Sequence, residues 1–159
     1  MIRLLCSIVM LVLTFSASAD ISGRVVRVLD GDTVEILQAS RERTRIRLAG
    51  IDAPEKNQPF GQRSRQFLTR LVAQRHVRIS GDERDRYGRI LGTVWLDGED
   101  INAVMVRNGL AWAYRYRGKA TEPQYAEPEA GARAVKSGLW ADPAPVEPGL
   151  WRKMQKTPE

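Results

Sequence analysis

An α+β, mainly β domain is predicted by three observations. Short runs rich in valine and isoleucine are joined by tight polar turns, one of them alternates strictly, and stretches of helical apolar spacing lie after the third run and towards the carboxyl end. Residues 22–29, "SGRVVRVL", read as a first strand and 33–38, "TVEILQ", as a second, so 30–32 is the turn between them. In "TRIRLAGI" (44–51) Ile46, Leu48 and Gly50 point to one side while Arg45 and Arg47 point to the other, the pattern of a half-buried third strand. Pro54 stops it, because proline lacks a donor and biases the residue before it.

From Phe60 to about Gln74 the apolar positions Phe60, Phe67, Leu68, Leu71 and Val72 fall at helical spacing. Residues 76–80, "HVRIS", and 89–96, "RILGTVWL", are two more strands around the turn-rich "GDERDRYG". "DINAVMVRNG" is a short helix with Asp100 as N-cap and Gly109 as its stop. "PEAGARAVKSGLW" predicts a last helix ending at Gly138. Five short strands joined by hairpins fit a sandwich or a small barrel, and periodicity alone does not choose between them.

The chain ends are different in kind. Arg3, the apolar run "LLCSIVMLVLTF" and "ASA" ahead of Asp20 form the three-part pattern of a secretory signal peptide over 1–19. That run of 12 residues is shorter than the roughly 20 that a spanning helix needs. The expectation is therefore an exported protein, periplasmic or secreted, with no stable membrane association once the signal is removed. A single domain over 20–141 follows, and the proline-rich tail over 142–159 is expected to be loosely ordered. Cys6 is the only cysteine and leaves with the signal, so the fold must stand without disulfides.

Net charge is +6, and 20 of the 25 basic residues are arginines, whose planar fork suits phosphate. A polyanionic partner is one reading of that charge and simple solubility is another. The lone histidine, His76, has no obvious partner for a Ser-His-Asp triad, one histidine without cysteine does not build a zinc cluster, and it reads as a favourable charge near the end of the preceding helix. No phosphate-cradling GxxxxGK loop is present. What remains is carboxylates and arginines: Asp30 and Asp32 in "DGD", Asp52 and Glu55 in "IDAPE", and Arg47 and Arg89 beside them. Alone, the first motif is an ordinary polar turn and the second a helix-entry loop. Together, at strand ends, they offer the all-oxygen donor set that suits a hard cation, with guanidiniums to meet the charge of a phosphoryl transition state.

"VLDGDT", "IRLAGIDAPE", "DRYGR" and "AVMVRNGLAWAY", in this order, resemble the thermonuclease family of staphylococcal-nuclease-like proteins from about Gly23 to Trp140. The resemblance implies a five-stranded OB-type barrel with about three helices. It implies one Ca²⁺ per chain, held by Asp32, Asp52 and the main-chain carbonyl of Ala53, where the family has threonine. Glu55 would activate or orient water, Arg47 and Arg89 would bind phosphate, and Tyr87, with Tyr114 or Tyr116, would lie beside the nucleotide. The implied activity is that of a monomeric endonuclease, a calcium-dependent phosphodiesterase acting on DNA or RNA, preferably single-stranded, and leaving 3′-phosphate ends. An OB-fold module that binds single strands without cutting them is the alternative. Asp30 is assigned to the turn and Asp32 to the metal.

Overall fold

The structure, a computed structural model, describes residues 20–156; the expected signal peptide lies outside the described residues. Strand β1 (Ile21–Asp30) is long enough to serve two neighbours. Its first half pairs antiparallel with β5 (His76–Ser80) and its second half with β2 (Thr33–Leu37). Register shifts between Val25 and Arg27 and between Val28 and Asp30 bend it. Such bulges let a strand leave one partner and curve round to another.

Strand β3 (Arg43–Leu48) pairs antiparallel with β2 on one edge and parallel with β6 (Ile90–Leu96) on the other, Ile46 opposite Ile90. With β5 antiparallel to β6, that parallel pairing closes β1, β2, β3, β5 and β6 into a barrel. The choice between sandwich and barrel is thereby made. Closure removes exposed edges and encloses the apolar face of every strand. Val25, Val34, Ile36, Ile46, Leu48, Ile79 and Val94 are completely buried there, each worth about 1.5–3 kcal/mol. Arg43 and Arg45 face out, as the alternation requires.

Helix α1 (Gly61–Val72) follows a two-residue strand, β4 (Ile51–Asp52), and packs Leu68 and Val72 on the core. A second short strand, β7 (Glu99–Asp100), leads into α2 (Ile101–Arg107), where the Asp100 carboxylate accepts the Ala103 N–H at 2.9 Å as the predicted cap. Asn102 on α2 is buried: its Nδ2 donates to the carbonyls of Ala49 and Gly92, and its Oδ1 accepts from the Val94 N–H. This pins the turn that precedes β4 to β6, which fixes where Asp52 begins. β8 (Trp112–Ala113) pairs with β4, and the hairpin of β9 (Arg115–Tyr116) and β10 (Lys119–Ala120) stands beyond it.

The expected last helix is shorter than its sequence pattern. α3 (Ala126–Ala134) ends before Lys136 and Gly138, both of which adopt positive φ, and a 3-10 turn follows over Gly138–Ala141. The tail departs further from expectation. Instead of loose chain, it folds into a fourth helix, α4 (Pro148–Met154). Proline at the first helical position loses no bond there, because that N–H has no partner within a helix. Two side chains in the loop after β4 hold the segment: Gln58 Nε2 donates to the Val146 carbonyl at 2.7 Å, and Asn57 Oδ1 accepts from Trp151 Nε1 at 3.4 Å.

Candidate active site

The turn that carries Asp32 is pressed against α1. A Cβ on Gly31 would lie 1.9 Å from Ser64 Oγ and 2.8 Å from the Ala53 Cβ, so only glycine lets the turn approach this closely. Ser64 is itself fixed by donating to the Leu110 carbonyl at 2.6 Å. The result brings "DGD" and "IDAPE", some 20 residues apart, into contact: Asp32 Oδ2 accepts the Ala53 N–H at 2.8 Å.

Arg47 closes the pair. Its Nη2 lies 3.0 Å from both Asp32 Oδ2 and Asp52 Oδ1, while its Nη1 donates to the carbonyls of Leu48 and Ile51 at 2.9 Å. Both carboxylates are buried. Burial pushes Asp52 above the usual carboxylate range, against the pull of Arg152 and Arg47. Asp30 is not only a turn residue. Its carboxylate accepts the Asp32 N–H at 3.2 Å, as the turn reading expects, yet it also lines the cleft. Burial, reinforced by the adjacent Asp32 charge, pushes it up to about 7, so it titrates near neutrality.

Glu55 is positioned by a tight loop. The Glu55 N–H donates to Gln58 Oε1 at 3.0 Å and the Glu55 carbonyl accepts the Gln58 N–H at 2.9 Å. A Cβ on Gly61 would sit 1.8 Å from that carbonyl, so α1 can begin here only with glycine. Arg89 stands just before β6, at the end of the loop that follows β5. Its Nε donates to Asp85 Oδ2 at 2.7 Å, and its Nη2 lies 2.7 Å from the same oxygen. Asp85 is held below its usual range: burial works the other way but is outweighed by the bonds from Arg89 and the Tyr87 N–H. Tyr87 is 68% exposed, and the guanidiniums of Arg86 and Arg89 lie over its ring.

The acids and arginines named in the sequence meet on one open cleft of about 1050 Å³. Asp32, Arg47, Asp52, Ala53, Glu55, Tyr87, Arg89 and Tyr114 are on its wall; Tyr116, on β9, is not. His76 is exposed at the start of β5, paired across the sheet with Arg24. Two residues that sequence reasoning did not single out belong to the site. Gln58 holds both the Glu55 loop and the approach to α4. Arg152, on α4, donates from Nη2 to Asp52 Oδ2 at 2.9 Å and from Nη1 to Glu55 Oε1 at 2.6 Å. Those bonds, chiefly the one to Asp52, raise its already high pKa further.

Among the described residues no three acidic or imidazole side chains are drawn together as a ready ion cage. The carboxylates are instead bridged by guanidiniums. The donor chemistry nonetheless fits a hard cation: Asp32 and Asp52 are buried, converge on one Arg47 nitrogen, and offer only oxygen.

Residues 45–142 match the staphylococcal nuclease homologue family. The chain is 45% identical to a micrococcal nuclease of Shigella flexneri, across 98% of this chain and 94% of that protein. It is 44% identical to Protein ParB of Escherichia coli, across 96% and 91% of the two chains. An uncharacterized endonuclease of Escherichia coli is 50% identical across 84% of this chain and 86% of its own length. The barrel closed by β3 and β6 and the match that spans "IDAPE", α1, α2 and α3 agree, and the chain belongs to the staphylococcal nuclease homologue family.

Proposed function

We propose that the chain is an exported, calcium-dependent nuclease that hydrolyses phosphodiesters of DNA and RNA, prefers single strands, acts as a monomer and leaves 3′-phosphate ends. The observation that carries this reading is the meeting of Asp32, Asp52, Glu55, Arg47 and Arg89 on one cleft. An open cleft with an exposed tyrosine at its rim suits a flexible strand, whose bases can stack on an aromatic face whatever their identity. Export rests on the sequence pattern of residues 1–19.

Each side chain has a distinct task. Glu55, at the cleft and partly exposed, takes the proton of the attacking water. Arg47 and Arg89 bind the non-bridging oxygens and meet the charge that grows on phosphorus as the water attacks in line. Asp32 and Asp52, with the Ala53 carbonyl, would hold Ca²⁺, which when bound supplies positive charge beside the phosphate. The bond from phosphorus to the 5′-oxygen breaks, that oxygen leaves as a 5′-hydroxyl after taking a proton from solvent, and the phosphate stays on the 3′-oxygen of the upstream fragment.

Incubating the mature protein with single-stranded DNA that carries a fluorescent dye at its 5′ end tests this directly. Cutting is expected with Ca²⁺ and is abolished by excess chelator, and the labelled products shift in mobility when a phosphatase removes a 3′-phosphate. Full activity in chelator removes the metal from the mechanism; products indifferent to phosphatase reverse the direction of cleavage.

A further inference from the structure

Arg152 lies 100 residues along the chain from Asp52, yet its fork spans the two acids that the nuclease reading sets to work. Nη1 also approaches Asp52 Oδ1 at 3.2 Å, so both oxygens of that carboxylate are taken by guanidiniums. The contact is not a stray surface pair. The Asp52 side chain is 3% exposed, and the helix bearing Arg152 is docked independently through Gln58 and Asn57. Trp151, the neighbour of Arg152, faces a small cavity shared with Pro54, Phe60, Trp112 and Leu139. That wall is built by Phe60 and Trp112 against the cluster of Ala132, Leu139 and Trp140.

Charge makes the consequence specific. Two guanidiniums, Arg47 and Arg152, pair with three carboxylates, Asp32, Asp52 and Glu55. With both guanidiniums in place these five groups sum to one negative charge. Without Arg152 the rest sum to two, the charge a divalent cation neutralises. A dication approaching Asp52 meets both the repulsion of Arg152 and carboxylate oxygens already engaged.

We propose that Arg152 is a tethered cation of the acid cluster, which a divalent ion must displace from Asp52 and Glu55 in order to bind, so that α4 sets the cation affinity of the active site. The proposal rests on the nuclease reading only for the identity of the cation. In that account Arg152 acts through the acids, as a positioning residue that shields two like-charged carboxylates until the ion arrives. Its strength depends on the planar fork, which reaches Asp52 and Glu55 at once.

The test is calorimetric titration of Ca²⁺ into the metal-free mature protein and into Arg152→Gln and Arg152→Lys, each first shown by its melting curve to be folded. Arg152→Gln is expected to bind Ca²⁺ about tenfold or more tightly, the scale of one unit charge removed from beside a partly exposed site. Arg152→Lys, which keeps the charge and loses the fork, is expected to fall between the two. Binding by Arg152→Gln that equals or is weaker than that of the parent overturns the proposal and leaves the nuclease reading standing. No heat of binding in any of the three proteins overturns the proposal together with the calcium requirement of that reading.

Discussion

Glu55→Gln keeps the protein folded and bound to single-stranded DNA but slows cutting by about 10²–10⁴-fold, the usual loss when a general base is removed. The amide preserves the size of the side chain and can still accept from Arg152, whose Nη1 lies 2.6 Å from Glu55 Oε1 in the parent. What it gives up is the ability to take a proton. The Glu55 side chain is 38% exposed, so the lost ion pair alters stability by less than about 1 kcal/mol. Turnover and binding are therefore expected to separate. Single-turnover rates compared with filter-binding affinities on the same strand measure that separation, and an unchanged rate would return Glu55 to the role of a loop acid.

Arg47→Met strikes stability and activity together. The Arg47 guanidinium joins two buried carboxylates and caps two carbonyls of the turn between β3 and β4. Removing one member of a buried ion pair leaves uncompensated charge and costs about 3–5 kcal/mol. Arg152 still serves Asp52, so the loss falls mainly on Asp32 and lies toward the lower end of that range. In a domain of this size roughly 2–4 °C of melting temperature is lost per kcal/mol. Ca²⁺ should recover more of the loss in the variant than it adds to the parent, since a ligand that binds only the folded state stabilises it. Turnover in saturating Ca²⁺ is expected to remain about 10²–10³-fold down, as when one donor to a charged transition state is lost. Thermal melts with chelator and with Ca²⁺, followed by rates on single-stranded DNA, check both halves. An unchanged melt would mean that Asp32 and Asp52 are held together by something other than Arg47.

Much of this site was legible in the chain because its signals are local. The alternation of 44–48 fixes which face of β3 bears Arg47, and the Asp-Gly turn fixes where Asp32 emerges. Asp100 announces the start of α2, since a side-chain acceptor before an apolar run has few other uses. The four motifs carry the family resemblance, and with it the expectation of a barrel. Barrel closure itself left no local trace. It depends on the parallel pairing of β3 with β6, between segments more than 40 residues apart, and periodicity reports only which face of a strand is apolar.

The tail escaped for a related reason. Its prolines and its seven-residue helix resemble loose chain to any rule based on composition, because a helix that short has no stability of its own. α4 exists through tertiary contacts alone: Gln58 to Val146, Trp151 to Asn57, and Arg152 to Asp52 and Glu55. The available signals were Pro148 at the first helical position and an apolar pair, Leu150 and Trp151, just before two basic residues. They suffice to suspect a docked turn but not to say what it docks on. Asp30 was half legible: its turn bond is local, whereas its place on the cleft wall follows from the packing of Gly31 on Ser64.

The most direct measurement is a crystal structure of Glu55→Gln with Ca²⁺ and a short single-stranded DNA, using the slowed variant to keep the strand intact. The account predicts a phosphate of the strand in the cleft, within hydrogen-bonding distance of Arg47 and Arg89, with Ca²⁺ on Asp32 and Asp52 and Arg152 moved off Asp52 and residue 55. A strand bound on another face of the barrel, with Arg152 still paired to Asp52, would contradict it.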